Sequence, residues 1–248
     1  QLVSNTVARN IDISNWLLSY SLIEPNYKHA PISFEAGNLG QGVRKFLNIE
    51  NHLITQTIIN SAIIDPIFIK TFELNDEDKQ FIYLREGKSN GGLPVSPEAR
   101  DAYLAETEAT KEFPLDNIRE FIQSLPTKDF PEDEVEKITE GFPSLYQSNN
   151  DLEEFCIRHQ VNPINVWYWF KQSKVIPQQR MRTLAMEFLA DMIREILMED
   201  EDGIIPLVPN AGEKVLLDRI EEKFIEKGFS SAQYSSFDSV LGRPIHEY

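Results

Sequence analysis

The sequence predicts a mainly α protein: helical, bundle-like lobes with a helix-turn-helix-like unit and at most short β segments. Two observations predict it. Apolar residues recur at helical spacing over long stretches, above all in residues 43–72 and 178–198, while runs with strand character are few and short. Start and stop residues also fit helices: Asn75, Asn162 and Pro163 at beginnings, and Gly228 at an end.

The elements follow in order. Residues 2–23 read as an amphipathic helix on Val7, Ile11, Trp16, Leu17 and Tyr20, ending before Pro25 because proline disfavours helical geometry in the preceding residue. Residues 24–42, with two prolines and three glycines, read as loop. Residues 43–72 form a long helix through Phe46, Leu47, Leu53, Ile54, Ile58, Ile59, Ala62, Ile63, Ile67 and Phe68, with Pro66 expected to kink or divide it. Residues 75–77 start a further helix over 78–84, and 87–97 is rich in turn residues. Residues 101–147 carry short acidic helices punctuated by Pro114, Pro126, Pro131 and Pro143. This stretch reads as a connector that packs rather than dangles.

From residue 151 to 182 the chain changes character. Leu152, Phe155, Cys156, Val161, Val166, Trp167 and Phe170 stand where a helix-turn-helix buries apolar side chains, with Asn162 as the cap of its second helix and Pro163 in the first turn. Residues 178–198 then give the strongest helix, on Met181, Leu184, Ala185, Phe188, Leu189, Met192, Ile193, Ile196 and Leu197. An acidic stop at 199–203, a short extended segment at 204–208 and a last helix over 213–227 complete the chain. The division expected is a helical lobe over 1–110, an acidic proline-punctuated connector over 111–150, and the helix-turn-helix-like unit with a C-terminal helical lobe over 151–248.

Composition limits the function. The chain has 248 residues and a formal net charge of −16, so its whole surface is no cradle for nucleic acid. Residues 101–160 concentrate the acid, with fifteen Asp and Glu against five Lys and Arg. Solvated helix faces explain such a run, and a docking or DNA-mimicking surface is the sharper alternative. Residues 161–182 reverse the sign: they hold Lys171, Lys174, Arg180 and Arg182 and no acid. Those four are the candidate DNA-phosphate contacts. Trp167, Tyr168 and Trp169 cannot share one buried face, since consecutive helical residues point about 100° apart. They serve helix packing, a lobe interface or base stacking.

The lone Cys156 cannot form an internal disulfide and suits a reducing cytoplasm. His29, His52, His159 and His246 show no zinc-ligand spacing, so no metal is expected. There is no run of eighteen apolar residues, which argues against a membrane span. Gln1 in place of Met suggests an excerpt from a longer chain.

Three segments invite catalytic readings and fall short. Gly37, Gly40 and Gly42 form a glycine cluster, but Ile32 to Ala36 is a poor strand to precede a cofactor loop. Asp65-Pro66-Ile67-Phe68 lacks the second proline of the amino-methyltransferase motif, so a helix kink is favoured. Glu199, Asp200, Glu201 and Asp202 lack a suitably spaced Lys or His and read as a solvated helix end. No catalytic residue is assigned.

Four groups of residues, taken in order, carry a resemblance: residues 58–78; residues 161–170; Arg182-Thr183-Leu184-Ala185-Met186-Glu187-Phe188-Leu189 with Glu201-Asp202-Gly203-Ile204-Ile205-Pro206-Leu207; and residues 237–248, containing Phe237, Asp238, Gly242, Arg243 and Pro244. Together they resemble the region after the catalytic core in adenine-specific DNA methyltransferases of the BREX and Pgl phage-exclusion type and of related single-chain restriction-modification enzymes. The resemblance implies a parent that transfers methyl from S-adenosylmethionine to adenine N6 in double-stranded DNA. The family's glycine-rich cofactor motif and its Asn-Pro-Pro-Tyr/Phe motif are not in this stretch. The expectation is therefore a non-catalytic spacer or DNA-recognition segment, beside catalytic and target-recognition domains and possible further defence proteins. The rivals are an acidic interaction module of a defence complex, a helix-turn-helix regulator, and a true methyltransferase domain, which would need a parallel sheet.

Overall fold

The computed structural model describes residues 1–34, 37–87, 89–110, 115–145, 148–209 and 212–248. Among them it holds eleven α-helices and no strand or sheet, which bears out the mainly α expectation. The β content among the described residues is one bridge between Val95 and Thr127.

The helices are α1 (Leu2–Leu18), α2 (Leu39–Thr71), α3 (Asp76–Glu86), α4 (Pro97–Thr110), α5 (Leu115–Ser124), α6 (Glu132–Thr139), α7 (Asn149–His159), α8 (Pro163–Ser173), α9 (Gln178–Glu199), α10 (Leu216–Glu226) and α11 (Ser231–Leu241). They group into two units that are not consecutive stretches: Gln1–Asn15 with Glu50–Val175, and Trp16–Ile49 with Ile176–Tyr248. The three consecutive regions read from sequence follow the chain instead of its contacts. Residues 111–114 and 146–147 of the expected connector, with Pro114, lie outside the described residues.

In the first unit, α8 packs on α4, α6 and α7. Ile59 and Ile63 of α2, Val95, Ala99 and Tyr103 of the α4 region, Ile118, Ile122 and Leu125 of the α5 region, and Ile164 and Trp167 of α8 form one buried core. So the acidic helices of the expected connector do pack, with their apolar sides inward. Pro66 does not divide α2, which runs as one helix of 33 residues. Asn75 caps α3 through a reciprocal pair: its Oδ1 accepts from the Asp78 amide at 2.9 Å and the Asp78 carboxylate accepts from its own amide at 3.1 Å.

The α7–α8 pair forms as read. Ser148 caps α7 and Gln160 ends it in the left-handed region at φ 51°. Asn162 Oδ1 then accepts from the Ile164 amide at 2.9 Å. The same side chain donates through Nδ2 to the carbonyls of Gly91, at 3.0 Å, and Leu93, at 2.7 Å. Asn165 accepts from the Ser96 amide at 2.9 Å. Two asparagines one turn apart thus hold the loop before α4 against the start of α8. Glycine is required at 91: a Cβ there would stand 2.6 Å from that of Ala62 on α2.

In the second unit, α9 packs on α10 and α11. Phe188 is the hub of an aromatic cluster, meeting Phe224 at 5.8 Å, Phe229 at 5.6 Å and Phe237 at 6.0 Å. The face read for α9 is buried at Leu184, Ala185, Phe188, Leu189, Met192 and Ile196, whereas Leu197 is exposed. The helix expected last, over 213–227, is α10 at Leu216–Glu226, and α11 follows it. Ser230 and Gln233 make its capping box and Gly242 its left-handed end, at φ 87°. Residues 204–208, read as extended, form no strand, and Ile204, Leu207 and Val208 are exposed. α1 stops at Leu18, short of the expected residue 23.

Candidate functional site

The four basic candidates separate into two pairs. Lys171 and Lys174 belong to the first unit, Arg180 and Arg182 to the second. Lys171 Nζ lies 3.0 Å from Glu106 Oε2, an acid sixty-five positions away on α4, and 5.2 Å over the Trp167 ring. The acid-free stretch is therefore acid-free along the chain and not in space. Lys174 ends α8 in the left-handed region at φ 58°. Arg180 sits 5.9 Å over the Phe46 ring. Arg182 lies along Gly242, where a Cβ would meet its Nε at 2.9 Å.

The aromatic triplet is used inward. Trp167 is buried edge-on to Tyr103 at 5.1 Å, and Trp169 is buried edge-on to Phe130 at 5.2 Å. Tyr168 is half-buried against the core. The three consecutive rings point to different sides of α8, yet none is left fully exposed. Helix α8 is covered on more than one side, by α4 and by α6 and α7.

Sequence reasoning missed the most unusual cluster, which lies in the middle of α2. Glu50, Asn51, His52, Thr55, Gln56 and Asn60 are all buried, on a helix whose other buried residues are apolar. Asn60 donates from Nδ2 to Asn10 Oδ1 on α1 at 2.7 Å. Among the described residues, Asn51 Nδ2, Thr55 Oγ1, both amide atoms of Gln56 and Asn60 Oδ1 have no hydrogen-bond partner in the protein. Atoms so buried need a partner, because leaving one with none, water included, costs about 1–3 kcal/mol. The His52 ring stands 5.0 Å from Tyr103 and 5.8 Å from Trp167. Burial lowers its pKa to about 4, Glu106 opposes that, and Lys171 and Arg9 add to it. The imidazole is thus neutral at pH 7. A signal was present: polar residues at 52, 56 and 60, and at 51 and 55, follow helical spacing.

This helix also has the length and composition of a membrane span, with a mean hydropathy of 1.2 over its best window, 61% of which is buried inside the protein. The polar seam interrupts what would otherwise be a long apolar run. Its burial is that of a core helix.

The remaining chemical candidates resolve into structure. Asn38 Oδ1 accepts from the Gln41 amide and its carbonyl from the Gly42 amide, both at 3.0 Å, so the glycine cluster begins α2. These residues do not fit a methyl-donor cradle: the amides turn into a helix and Ile32 lies in a 3-10 turn, while Glu35 and Ala36 are outside the described residues. Asp200 Oδ1 accepts from the Asp202 and Gly203 amides, and Oδ2 pairs with Arg219 at 2.6 Å. It caps a helix end. Among the described residues no three His, Cys, Asp or Glu side chains converge as a metal site.

A cleft of about 420 Å³ beside Asp200 is lined by Glu199, Lys214, Arg219, Lys223 and Glu226 among others. Its cations are matched within it or at its edge: Lys223 to Glu199 at 2.7 Å and Glu226 at 2.8 Å, and Lys214 to Glu222. Burial raises the thiol pKa of Cys156, and Glu153 raises it further, so the thiol is protonated and inert.

No protein-family model, no curated protein and no solved structure matches this chain.

Proposed function

We propose that this chain is a non-catalytic helical spacer and DNA-recognition segment of a larger adenine-N6 DNA methyltransferase, in a phage-defence or restriction-modification system of the cytoplasm. S-adenosylmethionine and the catalytic residues belong to the parent's other domains, and the duplex reaches this segment through them. The observation that supports this reading best is the α7–α8 pair. It is capped at Ser148 and Asn162 and locked to the loop before α4 by Asn162 and Asn165, in the stretch where the parent family's resemblance and the local positive charge coincide. Such a pair is a rigid mount for Lys171 and Lys174, cations of the kind that position a phosphate backbone rather than read bases, while Arg180 and Arg182 belong to the other unit.

Lys171 shares its charge with Glu106, which weakens it as a phosphate contact. Replacing all four with Ala in the full-length enzyme weakens duplex binding and flattens its dependence on salt. Fluorescence anisotropy over a salt series measures both. Unchanged affinity and slope would remove the DNA role.

A second reading, an acidic interaction module without DNA contact, is favoured by the net charge of −16 and by exposed apolar residues such as Phe81 and Leu84. Co-purification with a defence protein, together with no duplex binding at low salt, would select it.

A further inference from the structure

Helix α3 turns an apolar, charge-patterned face outward. Phe81 is 61% exposed and Leu84 85%, on a helix with an acidic first turn of Asp76, Glu77 and Asp78 and with Arg85 in its last turn. At 3.6 residues per turn, Glu77, Asp78, Phe81, Leu84 and Arg85 fall within an arc of about 120°. The Asp76–Lys79 ion pair lies on the opposite side. The Arg85 guanidinium is 5.4 Å over the Phe81 ring, so the cation lies beside the apolar centre.

This face is complementary to itself. Phe81 stands four residues from Glu77 and four from Arg85, so it is the midpoint of a stripe that is acidic at one end and basic at the other. We propose that α3 is a self-recognition helix on which a second copy of this chain docks, antiparallel, about a two-fold axis at Phe81. The two Phe81 rings and two Leu84 side chains form the centre. Arg85 of each copy meets Glu77 and Asp78 of the other. A parallel pairing would set acid against acid and separate the opposite charges, and antiparallel helices also oppose their dipoles favourably.

A helix of 11 residues buries too little for a permanent dimer, which places the contact among small transient interfaces. The long-range repulsion between two chains of charge −16 works against it and is screened within about 8–10 Å at physiological salt. The proposal is independent of the DNA reading.

The test is sedimentation equilibrium of the full 248-residue chain at physiological salt, over roughly 10 µM to 1 mM, the range suited to small interfaces. The expected weight-average mass rises with concentration from the monomer value of 28.6 kDa toward twice that. Phe81→Glu abolishes the rise. Glu77→Arg and Arg85→Glu each weaken association about tenfold, and the double charge swap recovers part of that loss, Asp78 remaining an acid opposite position 85. Far-UV circular dichroism verifies that each variant keeps its helices, as the exposure of these positions implies. A monomer at every concentration overturns the proposal. So does a dimer that survives Phe81→Glu, or a double swap that stays as weak as the single changes.

Discussion

Acidification is the sharpest probe of the seam in α2, because His52 reports on it directly. In the folded chain burial lowers the imidazole pKa from 6.5 to about 4, with Lys171 and Arg9 assisting and Glu106 resisting. The unfolded chain takes up the proton near 6.5 and the folded chain does not. The stabilisation is therefore complete above the unfolded value and is lost as the pH falls from 6.5 through about 4. The gap corresponds to roughly 3 kcal/mol, a large part of a normal folding free energy. Urea denaturation followed by far-UV circular dichroism, from about pH 7.5 to about pH 4, measures it when the parent is compared with His52→Phe, which keeps an aromatic ring against Tyr103 and Trp167 but cannot titrate. Asp65 and Glu153 pull the other way. Burial raises both carboxyls, and Asp65 raises Glu153 further, so their contribution is complete at low pH and lost as the pH rises through their folded values. Those terms are shared by both proteins and cancel in the difference. The parent should lose about 3 kcal/mol more than His52→Phe on acidification. Parallel stability curves would mean that the imidazole protonates as readily folded as unfolded, and the buried seam described here would be wrong.

Two further substitutions test how α8 is seated. Asn162→Ala removes a helix cap and orphans the Gly91 and Leu93 carbonyls, so it should cost roughly 3 kcal/mol in a urea titration; a loss under about 1 kcal/mol would show that the loop is held by other means. Gly91→Ala forces a methyl to within 2.6 Å of the Ala62 Cβ and 3.0 Å of the Ile58 carbonyl, and should cost about 2 kcal/mol or more, whereas Gly92→Ala meets nothing within 4 Å and should be near neutral. Equal melting temperatures for the two variants would deny the close approach of that loop to α2.

The parts of this molecule that could be read from sequence are those governed by local forces. The strongest helix was expected over 178–198 and stands at Gln178–Glu199, because nine apolar positions on one stripe leave little other choice. Asn162 and Pro163 start α8 as their side-chain chemistry requires. α11 escaped because its apolar face is thin, with Phe237 and Leu241 as its buried residues in a run rich in Ser, although Ser230, Gln233 and Gly242 marked both ends. The pairing of Lys171 with Glu106, and the grouping of the chain's first and middle parts into one unit, depend on contacts dozens of residues apart. No window of sequence contains them.

The seam in α2 marks the limit more clearly. A stripe of Asn, His, Thr and Gln on an apolar helix ordinarily identifies the side that faces water, and for 51, 52, 55, 56 and 60 the sequence supports that assignment as well as any other. What reverses it is the covering of this stretch by other parts of the chain: α1 reaches Asn60 through Asn10, while Tyr103 of α4 and Trp167 of α8 close over His52. The same burial separates the two readings of function. Side chains this enclosed cannot meet a duplex or a partner directly, and both proposed contacts use residues that packing leaves outside, Lys174 and Arg182 in the one case and Phe81, Leu84 and Arg85 in the other. The two sets share no residue, so weakening one contact is expected to leave the other intact, and loss of both through either set of substitutions would refute their independence.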